Sequence, residues 1–266
     1  MYISSLQNAK IKEIKKLEKS AYRKETGTFL LEGLREINLA YRAGYLFESV
    51  FICDSRIKET DLYNLEFFEL IKDTVSVFTV SEDVYASVAY RESTEGIFAV
   101  TRTKQHTLDS LMLSANPLIL IIEGVEKPGN FGAMLRTCDA VNADAVIICD
   151  AKTDVYNANV IRSSVGTVFT NQIAVDSTWN VIQYLKEQNI NSFAAYLETN
   201  QEYYASDFTQ PTAIVVGTES DGLSADWINA SSYKIKIPML GEIDSLNVSV
   251  SAAVLLYEAL RQRRNN

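Results

Sequence analysis

Five apolar runs in the second half of the chain leave little choice of fold. "PLILIIEGV", "DAVIICD", "SFAAYLE", "TAIVVGT" and "YKIKIPM" are near-continuous rather than alternating, and helical stretches separate them. A strand buried on one face alternates apolar with polar residues, whereas a strand without that alternation is buried on both. Such strands joined by helices build a parallel sheet with helices over each face. "VFTNQIAV" is a further candidate strand, and "NVSVSAAVLLYEALRQRR" closes the chain as a helix.

The first half reads as a smaller α/β unit. In "IKEIKKLEKSAYRKE" the apolar positions Ile11, Ile14, Leu17 and Ala21 stand at helical spacing among lysines, which predicts one helix. "TFLLEG" is a strand ending at Gly33, and "LREINLAYRAG" is a helix stopping at Gly44. "FESVFICD", "SVFTV" and "GIFAVTR" are further strands, with "SEDVYASVA" as a capped helix among them. The expected division is a domain over residues 1–102, a polar linker over 103–116 and a larger domain over 117–266.

Composition excludes several kinds of chemistry. Cys53, Cys138 and Cys149 are scattered and odd in number, and His106 is the one histidine. That argues against a disulfide framework, a zinc site and any histidine-dependent nucleophile; His106 itself reads as a solvated linker residue. No stretch approaches the roughly 20 apolar residues of a membrane span. The N-terminus "MYISSLQNAKIKEIKKLEKS" lacks the apolar core of a secretory signal. The expectation is a cytoplasmic protein with no metal and no membrane partner. A net charge of −9 speaks against indiscriminate nucleic-acid binding. Yet seven lysines and arginines face three glutamates between Lys10 and Glu25, and the chain nears its end with "RQRR", so local basic surface exists.

Parallel sheets of this kind gather ligands beyond the carboxyl ends of their strands, and three segments there carry chemistry. After "PLILIIEGV" comes "EKPGNFGAMLRTCDA". A helix starting near Phe131 buries Phe131, Met134, Leu135, Cys138 and Val141 on one face and leaves Arg136 opposite. Side chains lean towards a helix N-terminus, so Arg136 reaches back over Gly132 towards Asn130, and the glycine leaves space there. In "VVGTESDGLS", Gly217 ends a strand, Glu219 follows, and Gly222 precedes a helix start at Ser224. In "IPMLGEIDSLNVSVSAAV", Ser245 and Asn247 are natural caps for the last helix.

Taken in order, Asn130-x-Gly132-x-x-x-Arg136, then Gly217-x-Glu219-x-x-Gly222-Leu223, then Ile237-Pro-Met239 with Ser245-Leu-Asn247-Val-Ser-Val, resemble the three motifs of the SpoU (TrmH-like) branch of the SPOUT RNA methyltransferases. The N-terminal pattern is similar to that family's substrate-binding domain, so the resemblance covers the whole chain. It implies methyl transfer from S-adenosylmethionine to a ribose 2′-hydroxyl. The extra domain favours structured ribosomal RNA over tRNA as substrate. It also implies a Rossmann-like parallel sheet tied in a trefoil knot, beside a smaller α/β domain resembling ribosomal-protein-like RNA binders, and an active site completed across a homodimer. The glycine-rich fingerprint of the ordinary Rossmann-type methyltransferases is missing, which agrees, and the missing GxGxxG disfavours a nicotinamide-dependent Rossmann enzyme. Carried over by motif, the catalytic set is Arg136, Asn130, Glu219, Ser245 and Asn247. Gly217, Ile237, Met239 and Leu246 hold the cofactor, and Gly33, Arg35 and Glu36 face RNA. Arginine stays protonated far above neutral pH. Arg136 therefore reads as a phosphate clamp that stabilises alkoxide charge, while a role as the base, aided by phosphate, stays open. The competing class is a non-catalytic RNA-binding protein with the same fold. Base methylation is disfavoured by the first motif, which belongs to the ribose-directed branch.

Overall fold

The lysine-rich opening segment folds as two helices, not one. After a short strand β1 (Tyr2–Ile3), α1 (Ala9–Lys16) stops, and α2 (Ser20–Thr26) begins only after Leu17, Glu18 and Lys19. Ala21 is exposed and Arg23 buried, the reverse of what a continuous helix predicts. The Arg23 Nη1 donates to the carbonyl oxygens of Leu17 at 2.6 Å and Glu18 at 2.9 Å. Carbonyls at a helix end have no partner within the helix, and a buried arginine supplies one here.

This computed structural model describes residues 1–57, 74–90, 95–218 and 221–264, and the chain divides into two compact units. The first unit holds Met1–Gln105 together with Val155–Thr170. Its described elements continue with β2 (Thr28–Glu32), α3 (Leu34–Arg42), β3 (Phe47–Ile52), β4 (Ser76–Val80), α4 (Glu82–Val88) and β5 (Ile97–Arg102). Among the described residues the sheet order is β1-β4-β3-β5-β2, with β1, β4 and β3 parallel and β5 antiparallel to β3 and β2. One face is packed by Ile11, Ile14, Val84 and Tyr85 against Phe51, whose ring stacks on Phe78 and Phe98 at 5.1 and 4.8 Å. Residues 155–170 join this unit through aromatic packing. Tyr156 stacks on Phe29 at 4.4 Å and Phe169 lies edge-on to Tyr45 at 5.2 Å. The Tyr156 hydroxyl accepts from the Lys104 amide at 2.8 Å.

The second unit holds His106–Asp154 and Asn171–Asn266. Its strands are β6 (Leu118–Glu123), β7 (Ala145–Cys149), β8 (Ile173–Asp176), β9 (Asn191–Ala195), β10 (Thr212–Val216) and β11 (Tyr233–Ile235). They pair in the order β11-β9-β10-β6-β7-β8, parallel throughout. Between them in sequence run α5 (Pro128–Val141), α6 (Ala158–Ser163), α7 (Thr178–Glu187) and α8 (Ala225–Ala230), and α9 (Val248–Arg264) ends the described chain. Of these, α6 packs in the first unit. Ile119, Ile121, Ile147 and Val215 meet Val181, Leu185 and Trp227 on one face of the sheet. Since neighbouring strand residues point to opposite faces, Leu120 and Ile122 face the layer formed by α5 and α9. Burial on both faces is why these strands show no polar alternation.

His106 is not the solvated linker residue that its polar surroundings predict. Its carbonyl accepts from the Val175 amide at 2.9 Å and its Nδ1 lies 3.2 Å from the Ile173 carbonyl oxygen, which extends the sheet beyond β8. All three cysteines are buried, and burial pushes the Cys138 and Cys149 thiols far above their ordinary range. No helix among the described residues is long and apolar enough to cross a membrane, and no cluster of His, Cys, Asp or Glu there is fit to hold a metal ion.

Candidate active site

From β6 the chain passes through α5 to β7 on one side; from β10 it passes through α8 to β11 on the other. The loops leaving β6 and β10 therefore diverge, and that switch point is where open parallel sheets hold ligands. A cavity of about 260 Å³ lies there. Ile122, Val125, Glu126 and Lys127 line it from the β6 side and Gly217 and Thr218 from β10. Asn130 and Met134 of α5, with Val248 of α9, complete it.

Helix α5 begins at Pro128, three residues before the expected start at Phe131. Proline at the first position gives up no helical hydrogen bond and presets the backbone angle, so Pro128, Gly129 and Asn130 form the first helical turn. The expected apolar face is buried as predicted, but Gly132 is buried with it. The open position is Gly129, where an added Cβ meets nothing within 4 Å. Arg136 is exposed and does not line the cavity. Six residues beyond Asn130, it stands about 9 Å further along the helix and roughly 120° around it.

The two glycines of the second motif serve different physical ends. Gly217 needs no special backbone angle; a Cβ there would lie 2.2 Å from the backbone carbon and oxygen of Gly222 and 2.5 Å from the Leu223 nitrogen. The loop is drawn back upon it by two backbone bonds, Thr218 N–H to Gly222 O at 3.0 Å and Gly222 N–H to Thr218 O at 3.2 Å. Gly222 has open space but a φ of +69°, the left-handed region that glycine adopts without strain. Glu219 lies outside the described residues.

In the third motif Asn247 is the cap of α9, as expected. Its Oδ1 accepts from the Ser249 amide at 3.0 Å and the Ser249 hydroxyl at 2.7 Å. Its Nδ2 donates to the Asn130 Oδ1 at 3.3 Å, joining residues 117 positions apart in sequence. Ser245 is exposed and its hydroxyl turns to Asp244 at 3.4 Å, so it does not cap the helix. Ile237, Met239 and Leu246 are half-buried and are not among the residues lining the cavity. Of the expected site, the structure thus brings together Asn130, Gly217 and Asn247. Gly33, Arg35 and Glu36 stand at the start of α3 in the first unit. The Arg35 side chain is mostly exposed and lies 3.3 Å from the Glu36 carboxylate.

Sequence reasoning passed over Glu123, the acidic end of an otherwise apolar strand. Its buried carboxylate accepts from the Thr178 hydroxyl at 3.1 Å and the Ser224 amide at 2.8 Å. It thereby ties the end of β6 to the starts of α7 and α8. A single carboxylate inside "LILIIE" is the signal that could have found it. Glu123→Ala leaves the buried Thr178 hydroxyl and the half-buried Ser224 amide without their acceptor, a loss of about 2 kcal/mol. The expected fall in thermal midpoint is roughly 4–8 °C, read by calorimetry.

A sequence model described as the SpoU rRNA Methylase family matches residues 117–257, and one described as the MRM3-like substrate binding domain matches residues 8–99. The chain is 28% identical to the 23S rRNA (guanosine(2553)-2′-O)-methyltransferase RlmP of Bacillus subtilis, over 96% of this chain and 97% of that protein. It superposes on a crystal structure described as an RNA 2′-O ribose methyltransferase with a TM-score of 0.84 at 37% identity, over 99% of this chain and 100% of the other. With the SpoU methyltransferase AviRb of Streptomyces viridochromogenes, solved with the cofactor AdoMet, the TM-score is 0.87 at 27% identity, over 97% and 100%.

Proposed function

The chain belongs to the SpoU rRNA methylase family, and from that premise we propose that the cavity between β6 and β10 holds S-adenosylmethionine while a ribose 2′-hydroxyl of RNA is methylated beside it. The observation that carries the reading is the meeting of all three motif segments, through Asn130, Gly217 and the Asn247–Val248 turn, at the switch point of the sheet. Ribosomal RNA is the substrate class, since the similarity to a 23S rRNA methyltransferase runs through both units. We place the reaction in the cytoplasm, and read the C-terminal part of the second unit as the family's trefoil knot.

The cavity suits the cofactor. Ile122, Val125, Met134 and Val248 offer apolar surface, and the bare backbone of Gly217 allows close approach, which is what a nucleoside read through backbone groups requires. When bound, S-adenosylmethionine supplies a methyl group on positively charged sulfur. Asn130 and Asn247 hold each other and orient the ribose or the cofactor across their hydrogen bond. Ile237, Met239, Leu246 and Ser245 approach from the loop before α9, and Glu219 orients the arginine or the ribose. Arg136 clamps a substrate phosphate and stabilises charge developing on the 2′-oxygen. Gly33, Arg35 and Glu36 contact RNA in the first unit.

Arg136 acts at the cavity of a second copy. The exposed apolar side chains Leu240 (97%), Ile243 (63%), Val250 (47%) and Tyr257 (51%) in and before α9 form the surface on which that copy packs. The double substitution Val250→Lys and Tyr257→Lys is expected to turn a dimer into a monomer in light-scattering chromatography and to lower methyl transfer at least tenfold.

Purified protein given isotopically labelled S-adenosylmethionine and unmodified bacterial 23S rRNA and tRNA tests the reading. The expected product is a labelled 2′-O-methyl nucleoside in the digested 23S rRNA. Labelled base in place of ribose, or measurable cofactor affinity without any product, counts against it.

A further inference from the structure

A second cavity, of about 680 Å³, lies wholly within the first unit. Its walls come from the α1–α2 segment, the end of β2 with the start of α3, the end of α4 with Tyr90, Glu95 before β5, and residues 156–162. The last of these belongs by sequence to the methylase half, inside the stretch matched by the SpoU family and outside the 8–99 match. Stacking of Tyr156 on Phe29 fixes the segment in the first unit, as does Gly166, where a Cβ would come within 2.7 Å of the Leu39 side chain.

The charge of this groove decides what part of an RNA it fits. Arg23, Arg35 and Arg162 line it, against Glu18, Glu32, Glu36 and Glu95. Arg23 is committed to backbone carbonyls. A track for phosphates is predominantly basic, and this groove is not. It offers instead what an unstacked base uses: a flat platform and hydrogen-bonding groups at its rim. Tyr90 is half exposed, and the Arg162 guanidinium lies 5.7 Å from its ring centroid. Asn159 lines the same space; it is half-buried, and its carboxamide has no hydrogen-bond partner among the described residues. Carboxylates accept from the amino and imino groups of base edges.

Resting on the proposed activity towards RNA, we infer that this groove receives an unstacked base of the substrate RNA, stacked on Tyr90 and Arg162 and held at its edge by Asn159 and the glutamates. Residues 156–162 of the methylase half are thus part of the RNA-binding surface of the N-terminal unit.

The test is filter binding of the full-length protein to an unmodified 23S rRNA transcript over a range of salt, with melting temperature as the check on folding. Tyr90→Ala and Arg162→Ala are each expected to weaken binding about ten- to a hundredfold, the loss typical of one stacked base. Tyr90→Phe, which keeps the ring, is expected to bind within twofold of the wild type. The salt dependence of the Tyr90→Ala protein stays that of the wild type, because no phosphate contact is lost. Folded Tyr90→Ala protein that binds like the wild type overturns the inference and leaves the methyl-transfer reading standing. So does an Arg162→Ala loss seen only as a salt slope reduced by about one with Tyr90→Ala silent, which would make the groove a phosphate clamp. Wild-type protein that neither binds nor methylates the transcript overturns both.

Discussion

Arg136→Ala protein is expected to lose methyl transfer by about 10²- to 10³-fold, the usual loss when one stabilising donor is removed from a reacting oxygen, while its affinity for S-adenosylmethionine stays unchanged. The split follows from position. Arg136 is exposed on α5, turned about the helix from Asn130, and lines no part of the cavity of its own chain. If a second copy supplies the arginine, the defect is open to complementation. Arg136→Ala chains keep an intact cavity; Gly217→Ala chains keep an intact arginine. Refolded together in equal amounts they form mixed dimers in half of the cases, each with one whole site of two, so about a quarter of wild-type activity returns. Each variant alone stays inactive. A mixture as inactive as its components would show that arginine and cavity act within one chain, and the proposed role of the dimer would fall.

How far such a site is legible in sequence depends on how local its causes are. The parallel sheet was legible because burial on both faces writes itself into each strand separately, as in "LILII" and "AVIIC". The caps at Ser224 and Asn247 were legible for the same reason, since a cap bonds to an amide two or three residues ahead. The break between α1 and α2 was not, because it turns on Arg23 folding back to carbonyls five and six residues earlier. Residues 155–170 show apolar positions, Tyr156 and Phe169 among them, but nothing in their spacing names Phe29 and Tyr45 as the surfaces they meet. Glu123 and Gly132 mark the same limit. The partners of the first lie 55 and 101 residues away, and the burial of the second reflects packing of α5 within the unit.

Gly217→Ala should abolish measurable binding of S-adenosylmethionine in calorimetry while the protein still folds, and Gly222→Ala should not. Both add one methyl group to the same loop, so the contrast isolates the cause. At position 217 the methyl has no room: backbone atoms of Gly222 and Leu223 lie at 2.2 and 2.5 Å, and backbone cannot swing aside as a flexible side chain can. The loop must move off Gly217, breaking the paired bonds between Thr218 and Gly222 that hold it at the cavity wall. Thr218 and Gly217 line that wall, so the shape of the cavity goes with them. At position 222 the added Cβ meets nothing within 4 Å, and the cost is the left-handed backbone angle alone, about 1–2 kcal/mol. That lowers stability but leaves the wall in place. Equal losses of binding in the two variants would mean that the loop tolerates no change of any kind; retention of binding in Gly217→Ala would place the cofactor away from the β10 loop.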